Sequence, residues 1–83
     1  MRKVAAHRIV TPQETIALGL CTIKGDEVVE TRPLRGEEAM VEWMDGSIVC
    51  REEGLQSTLH AYHNEVMLKE DIFIYNEEFL KEK

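Results

Sequence analysis

The chain has few of the features that mark large functional classes. Its longest uninterrupted apolar run is residues 72–75, whereas a transmembrane helix needs about 20 apolar residues. A basic start at residues 2–3 is followed by His7 and Arg8, which interrupt the apolar segment that a signal peptide requires. These observations predict a cytoplasmic protein.

Cysteine and proline are also scarce, with two of each in 83 residues. Cys21 and Cys50 are too far apart to form a Cys-x-x-Cys motif, so the usual sequence signal for zinc or dithiol chemistry is missing. Both lie in strand-like runs, where a cytosolic cysteine is most simply a small buried apolar residue. The sequence therefore predicts two structural thiols.

Basic residues are fewer than acidic residues in this chain. Ten Lys and Arg residues stand against sixteen Asp and Glu, which gives a formal net charge of −6. Residues 1–35 carry +2 and residues 36–83 carry −8. An acidic chain without a basic stripe lacks the electrostatic footprint of a nucleic-acid-binding protein, and anionic membranes repel it. We expect neither nucleic acid nor membrane as a partner, and we interpret the carboxylates as a solvated face.

Candidate metal ligands are limited to one pair of histidines. His60 and His63 would share a face on a helix, but they would point to opposite faces on a strand. No nearby Asp or Cys completes a ligand set, although Glu65 and Glu70 are within reach. The sequence predicts no cofactor, and His60 and His63 are retained only as metal candidates.

No catalytic constellation follows from the remaining residues. A nucleophile would need Cys21 or Cys50 beside a base such as His7, and nothing in the sequence indicates a lowered thiol pKa. The acidic pairs are adjacent residues that rarely converge on one substrate, and the glycines are spaced as separate turns. We therefore predict no catalytic residues and favour a non-enzyme.

What the sequence does contain is a clear strand pattern at its start. Residues 3–10, 16–23 and 27–31 are β-like segments, separated by turn signals at 11–15 and 24–26. The second segment is apolar on both faces, which is typical of a central strand. Gly19 within this segment indicates a bulge or a close backbone approach.

The middle of the chain supports two interpretations. Residues 36–43 suit one or two helical turns that pack Trp43 onto the sheet, and they also suit an irregular strand. Asp45-Gly46 is a turn signal, after which residues 47–51 form a strand. Trp43 with Met40 and Met44 is interpreted as core, or as a partner-binding patch if this segment lies on the surface.

The last third contains one ambiguous segment and one further strand. Residues 55–66 fit either a helix or a strand that pairs back through Glu53-Gly54, and we favour the strand. Residues 71–75 are predicted to be a strand, and residues 76–81 a frayed or helical tail.

Two stretches of this pattern also resemble a known family. Residues 6–12 and 18–29 resemble the N-terminal strands of amidohydrolases and related metal-dependent hydrolases, which build a small β composite domain beside a catalytic barrel. Residues 45–49 resemble the next strand of that domain, and residues 70–75 its returning C-terminal strand. The resemblance implies the fold of this accessory domain.

The resemblance does not extend to the family's active site. Its next strand leads into a Pro-Gly turn and a His-x-His metal pair, whereas here the chain continues with residues 51–54 and the spacing of His60 and His63 differs. A barrel of about 250 residues cannot fit in this chain. The resemblance therefore implies, as an alternative function, an accessory component of an amidohydrolase whose barrel is on another chain.

Together these observations predict a single mainly β domain over residues 1–83. We expect a small meander of five to six strands that forms an open barrel or sandwich, with one short helix as an option. The predicted function is non-catalytic, through protein–protein contacts. Unpaired edge strands favour pairing with a protein partner or in a homodimer.

Overall fold

A computed structural model describes residues 1–36 and 38–70, which form one six-stranded sheet. The strands are β1 (Arg2–Val10), β2 (Thr15–Lys24), β3 (Glu27–Pro33), β4 (Val41–Glu53), β5 (Thr58–His63) and β6 (Val66–Met67). No helix occurs in the described residues. The predicted mainly β fold with five to six strands is confirmed.

The first three strands form antiparallel hairpins, close to the segments predicted from the sequence. In the first turn, the Thr11 hydroxyl accepts a hydrogen bond from the Glu14 amide at 3.0 Å, while the Thr11 amide donates to the Glu14 carbonyl. These bonds satisfy backbone groups that the turn leaves without ladder partners. The local turn chemistry therefore sets the register of β1 against β2.

One connection departs from a simple meander. The strand order is β3-β2-β1-β4-β5-β6, and β1 pairs with β4 in parallel. Because β3 and β4 run in the same direction, the connection between them, described at residues 34–36 and 38–40, crosses over β2 and β1. The sheet thus joins two antiparallel meanders by one parallel pair.

The crossover covers the face of the sheet opposite the main core. Arg32 on β3 donates to both carboxylate oxygens of Glu38 at 2.7 and 2.8 Å, which ties the crossover to the sheet. Leu20 is the register partner of Arg32 on β2 and of Ala5 on β1, and both apolar residues are fully buried. The crossover therefore makes the first half of the sheet apolar on both faces.

Of the two interpretations of residues 36–43, the irregular strand is the one that forms, from Val41 onward. Residues from Val41 onward belong to β4, because the chain there pairs in register with β1. The predicted turn at Asp45-Gly46 is instead an irregularity inside β4, where the register gains one residue between Met44 and Ser47. Gly46 has a φ of 85°, which a glycine adopts without steric cost.

The favoured strand in the last third is confirmed. β5 (Thr58–His63) pairs with β4 through a turn at residues 54–57, as expected from Glu53-Gly54. The predicted strand at 71–75 and tail at 76–81 lie outside the described residues.

The sheet curls, so strands that are distant in its order meet. β3 contacts β5, although β2, β1 and β4 lie between them in the sheet. At this seam the His60 ring lies 2.6 Å from the Asp26 carbonyl through Nδ1. The concave side of the curl holds the core, whose largest fully buried members include Ile9, Ile23 and Ile48.

Candidate functional site

The convex face of the sheet presents an exposed tryptophan near the start of β4. Trp43 keeps 47% of its surface accessible, although it is the register partner of the fully buried Ala5. Its indole nitrogen donates to Asp45 Oδ1 at 3.3 Å, and its ring meets the His7 ring edge-on at a centroid distance of 4.9 Å. Trp43 is thus held from two sides while much of its ring remains open to solvent.

A break in the strand alternation places further side chains beside Trp43. In β1 the consecutive residues His7 and Arg8 are both exposed, and in β2 the same is true of Ala17 and Leu18. Leu18, opposite His7 in the ladder, is 49% exposed and has a φ of 52°. A branched residue in this left-handed region is strained, and such strain is often found at functional sites.

We call the exposed group of Trp43, His7 and Leu18, with the 90%-exposed Met40 at its edge, the Trp43 face. Met44, the third member of the predicted partner patch, is not part of it. Trp43 and Met44 are consecutive on a strand, so they point to opposite faces, and Met44 packs against the core. The predicted patch is therefore divided between surface and core.

A shallow groove of 720 Å³ adjoins the Trp43 face. Its lining combines Met40 and Val41 with charged side chains from both ends of the described chain. Arg2 forms a bidentate ion pair with Glu42, with nitrogen–oxygen distances of 2.7 and 3.0 Å. That pair lowers the pKa of the Glu42 carboxyl through the guanidinium hydrogen bonds.

The metal candidates His60 and His63 do not form a site with each other. The His60 ring is directed at the Asp26 carbonyl and the His63 ring, through Nε2, at the Asp45 carbonyl at 2.8 Å. Carbonyl oxygens only accept, so these ring nitrogens carry the protons and donate. Within residues 1–36 and 38–70, no group of three potential His, Cys, Asp or Glu ligands comes together.

The two cysteines are buried and reduced, as the sequence predicts. They come from β2 and β4, which are not neighbours in the sheet, and their side chains interact across the core. This interaction, with burial, raises the pKa of the Cys21 thiol well above its ordinary range. A buried neutral thiol is a poor nucleophile, and neither cysteine lies on the Trp43 face with His7.

Sequence reasoning found Trp43 and Met40 but missed His7, Leu18 and Asp45. Only the consecutive polar residues at positions 7–8 signalled the break in β1. The strained Leu18 carries no local signal, because leucine has no preference for the left-handed region.

Comparisons with family models, curated proteins and solved structures each find no match to this chain. The resemblance to the amidohydrolase composite domain therefore stays a prediction. The described part of the chain includes no helix that is long and apolar enough to span a membrane.

Proposed function

We propose that this chain is a non-catalytic β domain of the cytoplasm that acts by binding another protein through the Trp43 face. The observation that carries the proposal is the fixed, half-open ring of Trp43. Tryptophan is enriched among the residues that dominate binding energy at protein interfaces. A ring already held by His7 and Asp45 loses little conformational entropy when a partner covers it.

Although β3 contacts β5 at the seam, its outer edge has no ladder partner among the described residues and offers a second route to a partner, in line with the edge pairing expected from the sequence. Within the described residues, β3 is hydrogen-bonded only to β2. However, Glu27 and Glu30 place acidic side chains along this edge, and Pro33 lacks an amide donor. Charges and proline are devices that block edge-to-edge pairing, so we rank the Trp43 face first.

Affinity capture from cells that naturally make the protein tests the proposal. The baits are the wild type, Trp43→Ala and Leu55→Ala, which removes a fully exposed apolar side chain from the β4–β5 turn. We expect a stoichiometric partner that the Leu55→Ala bait retains and the Trp43→Ala bait loses. Circular dichroism establishes that both variants are folded.

Sedimentation equilibrium of the same three proteins tests a second copy as the partner. A Trp43-dependent dimer at micromolar concentration would support the proposal. A monomeric wild type that captures nothing specific would refute it, as would a partner that binds Trp43→Ala normally. Capture of a metal-dependent hydrolase barrel would identify the accessory role that the resemblance implies.

A further inference from the structure

The partner's chemistry can be inferred from the charges around the Trp43 face, an inference that rests on the proposed function. Arg8 follows His7 directly in β1 and is exposed. Arg35 lies in the crossover next to Leu34, whose amide donates to the Leu18 carbonyl at 2.9 Å. Arg8 thus lies next to His7 along β1, and Arg35 lies one residue beyond the backbone partner of Leu18, so both exposed arginines belong to segments that border the Trp43 face.

Arg8 and Arg35 differ from the arginines that are held in ion pairs. Arg8 and Arg35 form no ion pair with any carboxylate of residues 1–36 and 38–70. By contrast, Arg2 and Arg32 are held by Glu42 and Glu38. Among the described residues of this chain, whose net charge is −6, two exposed cations thus lie near the Trp43 face without a carboxylate partner.

Two acidic groups on this side are already engaged. Asp45 accepts the indole hydrogen bond from Trp43, and Glu38 accepts from Arg32 and from the Arg35 amide. Arg32, together with the Arg35 amide, lowers the pKa of the Glu38 carboxyl to about 2, so this carboxylate stays ionised and bound. Neither carboxylate pairs with the guanidinium of Arg8 or Arg35.

We propose that the Trp43 face binds an acidic protein segment that carries an apolar side chain. Trp43 and Leu18 would contact the apolar side chain, and Arg8 and Arg35 would pair with flanking carboxylates in the fork geometry that guanidinium groups favour. Arginine and tryptophan are the two residue types most enriched at interface hot spots. The net negative charge of the chain repels an acidic segment everywhere except near Arg8 and Arg35. Pairing with these two arginines therefore also determines where the segment binds.

Fluorescence titration provides the test, because Trp43 is the single tryptophan of the chain. The probe is a capped octapeptide with two central leucines and three acidic residues on each side. One control peptide has serines in place of the leucines, and another has lysines in place of the acids. An eight-nucleotide oligothymidylate tests nucleic acid as the ligand.

Two matched double variants separate local from overall charge. Arg8→Gln with Arg35→Gln removes the cations beside Trp43, whereas Lys24→Gln with Lys69→Gln removes two exposed cations elsewhere. We expect saturable binding of the acidic leucine peptide, weakened about threefold to tenfold in the arginine variant and unchanged in the lysine variant. Added salt should weaken binding to the wild type and have less effect on the arginine variant.

The inference is overturned if the lysine peptide or the oligothymidylate binds as tightly as the acidic peptide, or if the two double variants behave alike. Absence of any saturable binding of the acidic peptide also overturns it. Partner capture that depends on Trp43 but is unaffected by the arginine substitutions would retain the proposed function and reject the acidic partner. Loss of Trp43-dependent capture altogether would reject both.

Discussion

Gly25 and Glu70 bind each other through two hydrogen bonds that join the far ends of the sheet. The Gly25 amide donates to Glu70 Oε1 at 2.6 Å, and the Glu70 amide donates to the Gly25 carbonyl at 2.7 Å. Gly25 lies in the β2–β3 turn and Glu70 follows β6. Among the described residues, no ladder hydrogen bonds join β3 to β5. The two bonds between Gly25 and Glu70 therefore hold the curled sheet closed at this point.

Replacing Glu70 should weaken this closure. Glu70 also pairs with the amino terminus at 2.8 Å, and the hydrogen bonds from that ammonium and from the Gly25 amide lower the pKa of its carboxyl. We expect Glu70→Gln to lower the midpoint of urea unfolding at neutral pH. Glu65→Gln, at a carboxylate that is 89% exposed, should leave the midpoint nearly unchanged. Equal midpoints for the two variants would show that the closure contributes no stability.

Acid should loosen the crossover through Glu38. Its pKa is about 2 in the folded protein against an ordinary value of 4.5, so protonation is disfavoured by folding. The resulting stabilisation is complete above the ordinary value and is lost as pH falls towards the folded value. We expect urea midpoints measured from pH 6 to pH 2 to fall more steeply for the wild type than for Glu38→Gln. The matched control is Glu52→Gln, at an exposed position in β4, which should follow the wild-type curve.

Gly19 should not tolerate a side chain. A Cβ there would lie 2.6 Å from Ile9 Cγ1 and 3.1 Å from Ile16 Cγ2. We expect Gly19→Ala to lower the free energy of unfolding by about 1–3 kcal/mol, the usual range for overpacking a core. Combination with Ile9→Ala, which removes the closest atom, should cost less than the two single changes together. Strict additivity in denaturant unfolding would contradict the close contact.

Leu18 should be replaceable by a residue that accepts its backbone conformation. Asparagine adopts positive φ more readily than leucine, and Leu18 is already half exposed. We expect Leu18→Asn to raise the free energy of unfolding by up to about 1 kcal/mol. Leu20→Asn, at a fully buried position two residues away, should be strongly destabilising. A destabilised Leu18→Asn would show that the strain is smaller than the lost apolar contact.

The two thiols should react only after unfolding. Cys21 and Cys50 are almost completely buried, and burial with their mutual interaction raises the pKa of Cys21. We expect a colorimetric disulfide reagent at pH 8 to modify neither thiol quickly in the native protein and both in denaturant. Rapid labelling of the native protein would contradict the packing. Cys50→Ala should lower the pKa of Cys21 towards its ordinary value. The dependence of the Cys21 labelling rate on pH measures this change.

Local patterns in the sequence were sufficient to predict β1, β2, β3, β5 and the second part of β4, together with the turns that join β1 to β2, β2 to β3 and β4 to β5. Alternation and turn residues specify β1, β2 and β3, and Gly54 with the β-favouring residues after it specifies β5. The ambiguity at residues 36–43, which the sequence left open between helix and irregular strand, has a physical cause. A short amphipathic stretch does not reveal whether its apolar residues will meet a sheet face or pair along a strand edge, and here the β1 edge was free to accept β4.

The amino-acid sequence by itself determined the β class, the acidic character and the absence of any recognisable catalytic motif, because these follow from composition and from contacts between near neighbours in the chain. Only the tertiary structure decided that Trp43 faces solvent while Met44 enters the core, and that Arg8 and Arg35 flank the same face. Those outcomes depend on the parallel pairing of β1 with β4 and on the crossover. Both join residues that are far apart in the chain, so no local pattern encodes them.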